Sequence, residues 1–184
     1  MAGYVIHIAI AKEYIKKHEK EIEEYDEFIK GVIAPDYIPK IDKRKNKNIT
    51  HYGIWEKGIS ETHIDEFIKD KKVDMNKDYW KGYFIHLLTD HYFYNIAFKD
   101  EVEEEKKNKD GFYHDYDCIN KALIEKYKIE SIEEIKANMN HIDGKPKYLK
   151  LEKVIKFIDK ISDMNLKEQE KLIKQKGMKG IIKK

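Results

Sequence analysis

His86, Asp90 and His91 stand inside residues 80–95, WKGYFIHLLTDHYFYN, a run that is apolar or aromatic around almost the whole circumference of a helix. A helix apolar on every side is a core helix, and an unpaired carboxylate placed there either carries a large desolvation cost or takes up a proton. Coordinating a cation removes that cost. Positions four apart lie one above the other, so His86 and Asp90 project from one face and can share an ion. His91 sits about 100° further round and suits a neighbouring ion or the shell outside it. The plainer reading makes His86 a core histidine and Asp90 its ion-pair partner.

Other His and Asp residues punctuate apolar or loop segments: His7, Asp36, His51, His114, Asp115 and Asp117. Two ions sharing a carboxylate need about this many ligands. A pair of divalent ions about 3.5–4 Å apart polarises a phosphoryl oxygen and brings the pKa of a water between them towards neutrality. The expected reaction is hydrolysis of a phosphoester, with Asp36 or Asp115 as the proton acceptor.

These residues need helices to position them. Three prolines, abundant Lys, Glu and Ile, and apolar spacings of three and four predict an all-α, single-domain multi-helix bundle over residues 1–184. Helices are expected at 4–17, 22–30, 60–71 with Ser60 as cap, 78–98, 113–128, 131–140 and 149–161. Gly31 and Pro35 interrupt the second, and 36–52 reads as a polar, irregular loop. Segment 100–110 reads as a solvated helix end and loop, and 165–184 as a Lys-rich, frayed tail. Strands are scarcely signalled.

Composition narrows the function classes. Lys plus Arg number 37 against 35 Asp plus Glu, a net +2 that carries no global signature of nucleic-acid or membrane attraction. Cys118 is the one cysteine, which excludes an internal disulfide and a thiolate-rich zinc site and leaves His and carboxylate as ligands. The first 18 residues lack a basic n-region, and no stretch approaches the roughly 20 apolar residues of a membrane span, so the expected location is the cytoplasm. The basic run Lys40, Lys43, Arg44, Lys45 and Lys47 lies between Asp36 and His51; it can overhang the ions and draw in phosphate, or be a solvated loop. Tyr52 and Trp55, beside His51, are the candidate substrate-pocket aromatics, while Tyr79, Trp80, Tyr83, Tyr92, Phe93 and Tyr94 read as core. His18, His63 and His141 read as surface residues.

The segments GVIAPD at 31–36, Thr50-His51, and GYFIHLLTDH at 82–91 occur in an order and spacing that resembles the zinc-dependent phospholipase C family and its cytoplasmic relatives. The resemblance covers about residues 3–117. It implies an all-helical fold with two or three divalent ions held between helices, zinc first, with manganese or iron as alternates. It implies a first site of Asp36, His51, His86 and Asp90, the aspartate bridging two ions. The second site would add His114 and Asp117, with Asp115 or His91 as substitutes. His7, in GYVIHIA, resembles an early family histidine that helps to hold a third ion; secreted members complete that site with an N-terminal tryptophan, which this sequence lacks. The implied substrate is a small phosphoester or a phospholipid-like molecule, met without stable membrane insertion. One alternative is an HD-type phosphohydrolase, in which His86, the His114–Asp115 pair and a later Asp143 or Asp159 form the set. Another is a non-catalytic helical interaction protein.

Overall fold

The computed structural model describes residues 2–37, 48–56, 59–108 and 111–181, and they form a mostly helical single domain with one small hairpin. Helix α1 (Tyr4–Lys17) buries an almost continuous run from Val5 to Ala11, then Tyr14. It runs through the middle of the core, against α2 (Tyr25–Ile33) on one side and α6 (Tyr113–Tyr127) and α7 (Leu151–Ser162) on the others. Between α2 and α6 come the hairpin β1 (Gly53–Glu56) and β2 (Ile59–Thr62), α3 (Ile64–Lys69), α4 (Asp78–Tyr92), a π turn (Phe93–Ala97) and α5 (Lys99–Asn108). A 3₁₀ turn (Glu133–Asn138) precedes α7; α8 (Leu166–Lys176) and a 3₁₀ turn (Gly177–Gly180) close the described chain. Among the described residues no helix is long and apolar enough to cross a membrane.

Helix α4 matches the expected core helix: from Gly82 to Tyr92 every residue is buried. Its tightest neighbour is α2, and two glycines make the approach possible. A Cβ on Gly31 would stand 1.9 Å from the Tyr79 carbonyl oxygen, and one on Gly82 would stand 2.1 Å from that of Phe28. No side chain fits in either place, so the two backbones are in direct contact. Asp78 fastens the start of the same helix by accepting the amides of Glu23 and Glu24 (both 2.8 Å) and the Lys81 ammonium (2.6 Å). Those bonds outweigh the partial burial of Asp78 and hold its carboxyl below the usual carboxylate range.

Several boundaries differ from the sequence reading. Ser60 does not cap a helix, because residues 59–62 pair antiparallel with 53–56 in the register Gly53↔Thr62 and Glu56↔Ile59. The helix that follows is short, Ile64–Lys69, yet it buries Ile64 and Phe67 as the spacing requires. The hairpin depends on Gly53, where a Cβ would meet the Glu61 carbonyl oxygen at 1.8 Å. Segment 131–140 coils as a 3₁₀ turn rather than an α-helix. The charged stretch after residue 98 is the helix α5, and the Lys-rich tail begins with α8, capped by the Asn165 side chain on the Glu168 amide (3.0 Å).

The α2–α4 contact yields a first prediction. Gly82→Ala forces backbone apart rather than a flexible side chain, and overpacking of this kind costs about 1–3 kcal/mol. Thermal unfolding followed by circular dichroism is expected to show Tm lowered by roughly 3–10 °C. An unchanged Tm would show that the helices do not meet as closely as described.

Candidate metal centre

Five polar side chains converge between α1, α2 and α4. His7 comes from the first turn of α1, and His86 and Asp90 from successive turns of α4. Asp36 lies in the turn after α2, where its amide is bonded to the Ile33 carbonyl (3.1 Å). His51 follows a single helical turn at 48–50. The exposures are 2% for His7, 8% for Asp36, 0% for His51, 1% for His86 and 0% for Asp90, so all five side chains are buried.

Tyrosines anchor the two ligands that are not on helices. Tyr4 donates its hydroxyl to the Asp36 carbonyl (2.8 Å), tying the turn after α2 to the start of α1. Tyr83, on α4, donates to the Thr50 carbonyl and so holds the residue next to His51.

The donor atoms fall into two overlapping groups, His7–His86–Asp90 and Asp36–His51–His86, each with its ligand atoms within 4.8 Å of one another. The His7 and His86 rings are stacked, 3.9 Å apart and 5° from parallel, and His51 meets His86 edge-on. Nδ1 of His86 lies 2.7 Å from the Val32 carbonyl oxygen. A carbonyl only accepts, so that nitrogen carries the proton and Nε2 presents its lone pair. That Nε2 faces the Nε2 of His51 at 3.3 Å. Asp90 looks both ways: Oδ1 is 3.4 Å from His7 Nε2, while Oδ2 is 3.6 Å from His51 Nε2 and 3.7 Å from His86 Nε2. Asp36 Oδ1 is 3.1 Å from His51 Nε2.

These residues fit divalent ions. Among the described residues, both ring nitrogens of His7, both carboxylate oxygens of Asp36 and Oδ2 of Asp90 are buried without a hydrogen bond of normal geometry. Buried polar atoms need partners, and a cation supplies one to several lone pairs at once. The protonation states agree. Burial, then the like charge of His7, pushes His86 down to about 3, so its imidazole is neutral. Burial raises Asp36, but the His51 hydrogen bond and the charges of His86 and His51 outweigh it and hold the carboxyl at about 2. Burial likewise opposes ionisation of Asp90, and the His7 hydrogen bond outweighs it, leaving this carboxyl well below its ordinary value. The neutral imidazole of His86 and the ionised carboxylates of Asp36 and Asp90 are the forms that ligate metal. The two groups can therefore hold metal ions.

The other candidate residues are placed elsewhere. Among the described residues none of His91, His114, Asp115 and Asp117 joins either group. His91 is buried behind α4, its ring edge-on to Tyr92. His114 is exposed, with Nε2 3.6 Å from Cys118 Sγ. Asp115 is buried, but it accepts the amides of Lys147 (2.7 Å), Tyr148 (2.6 Å) and Leu149 (2.7 Å). It thereby holds the segment leading into α7, and its oxygens are taken, which corrects the expectation of a proton acceptor there. The HD-type set is not gathered either, since Asp143 is exposed and Asp159 faces Lys17 at the surface. Asp117 lines a cavity described below. Tyr52 donates to Asp70 (2.7 Å) and packs edge-on against Phe67, beside a shallow cleft shared with His63 and Lys72. Trp55 belongs to β1, and its side chain is outside the described residues, as is the whole basic run Lys40 to Lys47.

Three features of the centre carried no sequence signal that was read. The Val32 carbonyl orients His86, and a backbone group has no letter of its own. The Ala2 amide donates to Asp90 Oδ1 (2.9 Å) and turns that carboxylate towards His7. Tyr94 and Tyr116 are hydrogen-bonded to one another, and both sense the charges of Asp90 and Asp36.

The buried imidazoles give the metal-free protein a defined acid limit. His86 titrates at about 3 and His91, by burial, at about 4, against 6.5 for an ordinary histidine. Below 6.5 the unfolded chain binds protons that the native state refuses, so native stability falls as the pH drops from 6.5 towards 4. Asp36 adds a loss of the same sign between its ordinary 3.8 and about 2. Melting in the presence of a chelator is expected to give a level Tm from pH 8 to 7 and a falling one below about 6.5. Equal Tm values at pH 7.5 and 5 would mean that these rings are not buried in the neutral form.

Comparison of the chain with models of protein families, with curated proteins and with solved structures finds no match in any of the three, so the centre is read from its own donor atoms.

Proposed function

We propose that the protein is a metal-dependent phosphoester hydrolase whose centre is built from His7, Asp36, His51, His86 and Asp90, in the manner of the zinc-dependent phospholipase C group that the sequence resembles. One observation carries this reading. Two His/Asp groups meet at His86, with Asp90 facing both through different oxygens. A carboxylate between two ligand sets suits a pair of ions. The ions would be zinc first, with manganese or iron as alternates, since imidazole and carboxylate oxygen suit all three.

Bound there, divalent ions supply Lewis acidity, acidifying water and neutralising charge on a phosphoryl group. The protein's own residues do the rest. His7 and Asp90 hold one side, and His51 and Asp36 the other. Asp36 is the carboxylate left to accept a proton, because Asp115 is occupied by three amides. A water oxygen forms the new bond to phosphorus as the ester P–O bond breaks. Asp36 takes the water's proton and the alcohol departs after regaining one. Both carboxylates are ionised at neutral pH, as a base must be.

Metal content measured by plasma mass spectrometry, together with hydrolysis of phenyl phosphate and bis(p-nitrophenyl) phosphate, tests the reading. Asp36→Ala and His51→Ala are expected to lose metal and to lower kcat/KM by about 10²–10⁴. His114→Ala is expected to keep both. A protein that binds less than about one equivalent of zinc or manganese, or that is metal-loaded and inactive on both esters, overturns it.

A further inference from the structure

A cavity of about 340 Å³ adjoins the centre on the side of the chain's start. Its wall includes Tyr4, Tyr94, Tyr113, Tyr116, Asp117 and Asn120, with Ala2 and Gly3 completing the side towards Asp90. Ala2 links the cavity to the centre, lining the one and donating its amide to Asp90 Oδ1 of the other (2.9 Å). Tyr116 packs face-on against Gly3, where an added Cβ would touch the ring at 3.0 Å. Tyr94 comes from the π turn that interrupts the helix four residues after Asp90. Such single π turns re-aim side chains and concentrate at functional sites.

The lining has a definite chemistry. Tyrosine rings provide flat apolar faces with polar edges, against which the C–H face of a ring or short polyol packs. Asp117 and Asn120 supply oxygens that accept from hydroxyl groups. The Asn120 amide is spent on the Asn140 carbonyl (2.7 Å), which aims its other end. Glu105 adds a second carboxylate, and among the described lining residues there is no Lys or Arg. A field of that sign repels an anionic group. Burial holds the Tyr94 and Tyr116 hydroxyls well above their ordinary values, so they remain donors. The volume falls at the small end of the roughly 300–1,000 Å³ typical of ligand pockets.

We infer that this cavity is the substrate subsite of the centre, that it receives the alcohol side of the phosphoester as an uncharged, hydroxyl-bearing group such as a polyol or sugar, and that Asp117 and the Tyr94–Tyr116 pair select it. The inference rests on the phosphohydrolase reading for its reaction but not for its binding. The scissile phosphate would sit at the Ala2 side of the cavity, towards Asp90, while Asp117 disfavours esters whose alcohol bears a carboxylate.

Two measurements on the full chain test it. In the first, kcat/KM is compared for glucose 1-phosphate, glycerol 3-phosphate, 3-phosphoglycerate, ethanolamine phosphate and phenyl phosphate. The neutral polyol esters are expected to exceed 3-phosphoglycerate by about tenfold, the effect of one like charge at short range, and Asp117→Asn is expected to erase most of that ratio. Tyr116→Phe is expected to raise KM for the polyol esters several-fold more than KM for phenyl phosphate, which lacks the hydroxyl groups that the tyrosine would bind. In the second, amide chemical shifts are followed during titration with glucose and glycerol, with shifts expected at Tyr94, Tyr116 and Asn120. A ratio near one in the wild type, a ratio unaltered by Asp117→Asn, a preference for ethanolamine phosphate, or unmoved amides at these residues overturns the assignment. If phenyl phosphate is not hydrolysed, the reaction is wrong and the titration alone decides the cavity. If phenyl phosphate is hydrolysed without polyol selection, the reaction stands and the subsite falls.

Discussion

The contact of α2 with α4 through Gly31 and Gly82 is the constraint on which the centre depends. With side chains at either position the helix axes would separate by the width of at least a methyl group. The Val32 carbonyl could not then reach His86 Nδ1 at 2.7 Å. That hydrogen bond decides which nitrogen of His86 carries the proton, and therefore which nitrogen offers a lone pair to the space shared with His7, His51 and Asp90. An imidazole fixed by a backbone carbonyl on its far side is a better-oriented and more basic ligand than a free one. Backbone packing thus sets the chemistry of a side chain on the other helix.

Electrostatics then makes the arrangement consistent. Two carboxylates and three imidazoles in a buried space form a costly set if the carboxylates stand alone, because desolvation of each ion exceeds what imperfect hydrogen bonds return. The two ionised carboxylates carry a charge of −2, which matches one divalent ion and falls short of two, so a dinuclear centre would need further negative charge. On the proposed hydrolase reading, a phosphoester would supply it.

Much of this was legible in the sequence, for a simple reason. His7, His86 and Asp90 are polar letters inside runs that pattern alone assigns to the core, whereas Asp36 and His51 lie at the two ends of a polar loop and were grouped with them through the family resemblance. The misreadings have a common physical origin. Asp115 was equally polar in an apolar setting, but a carboxylate that caps three amides and one that faces a metal have the same letter, and only the path of residues 147–149 separates them. The hairpin at 53–62 was invisible because its strands are four residues long and one contains no alternating apolar pattern. Tyr94 was read as packing, since nothing in an apolar run announces a π turn.

The supports of the five ligands divide by type. His7 sits in the first turn of α1 and His86 and Asp90 in the middle and last turns of α4, where backbone hydrogen bonds and buried neighbours leave little freedom. Asp36 and His51 lie on turns, which by themselves would wander by more than the fraction of an ångström that coordination tolerates. The fold answers with one tyrosine hydroxyl for each, Tyr4 on the Asp36 carbonyl and Tyr83 beside His51, both reaching out from the rigid helices. Tyr83 is buried and Tyr4 half-buried, and each holds its proton far above neutral pH. The anchors therefore do not titrate in the range where Asp36 and His86 do. The geometry of the turn-borne residues is thereby referred back to α1 and α4, and a centre assembled from four segments is tied to the helix crossing that orients His86.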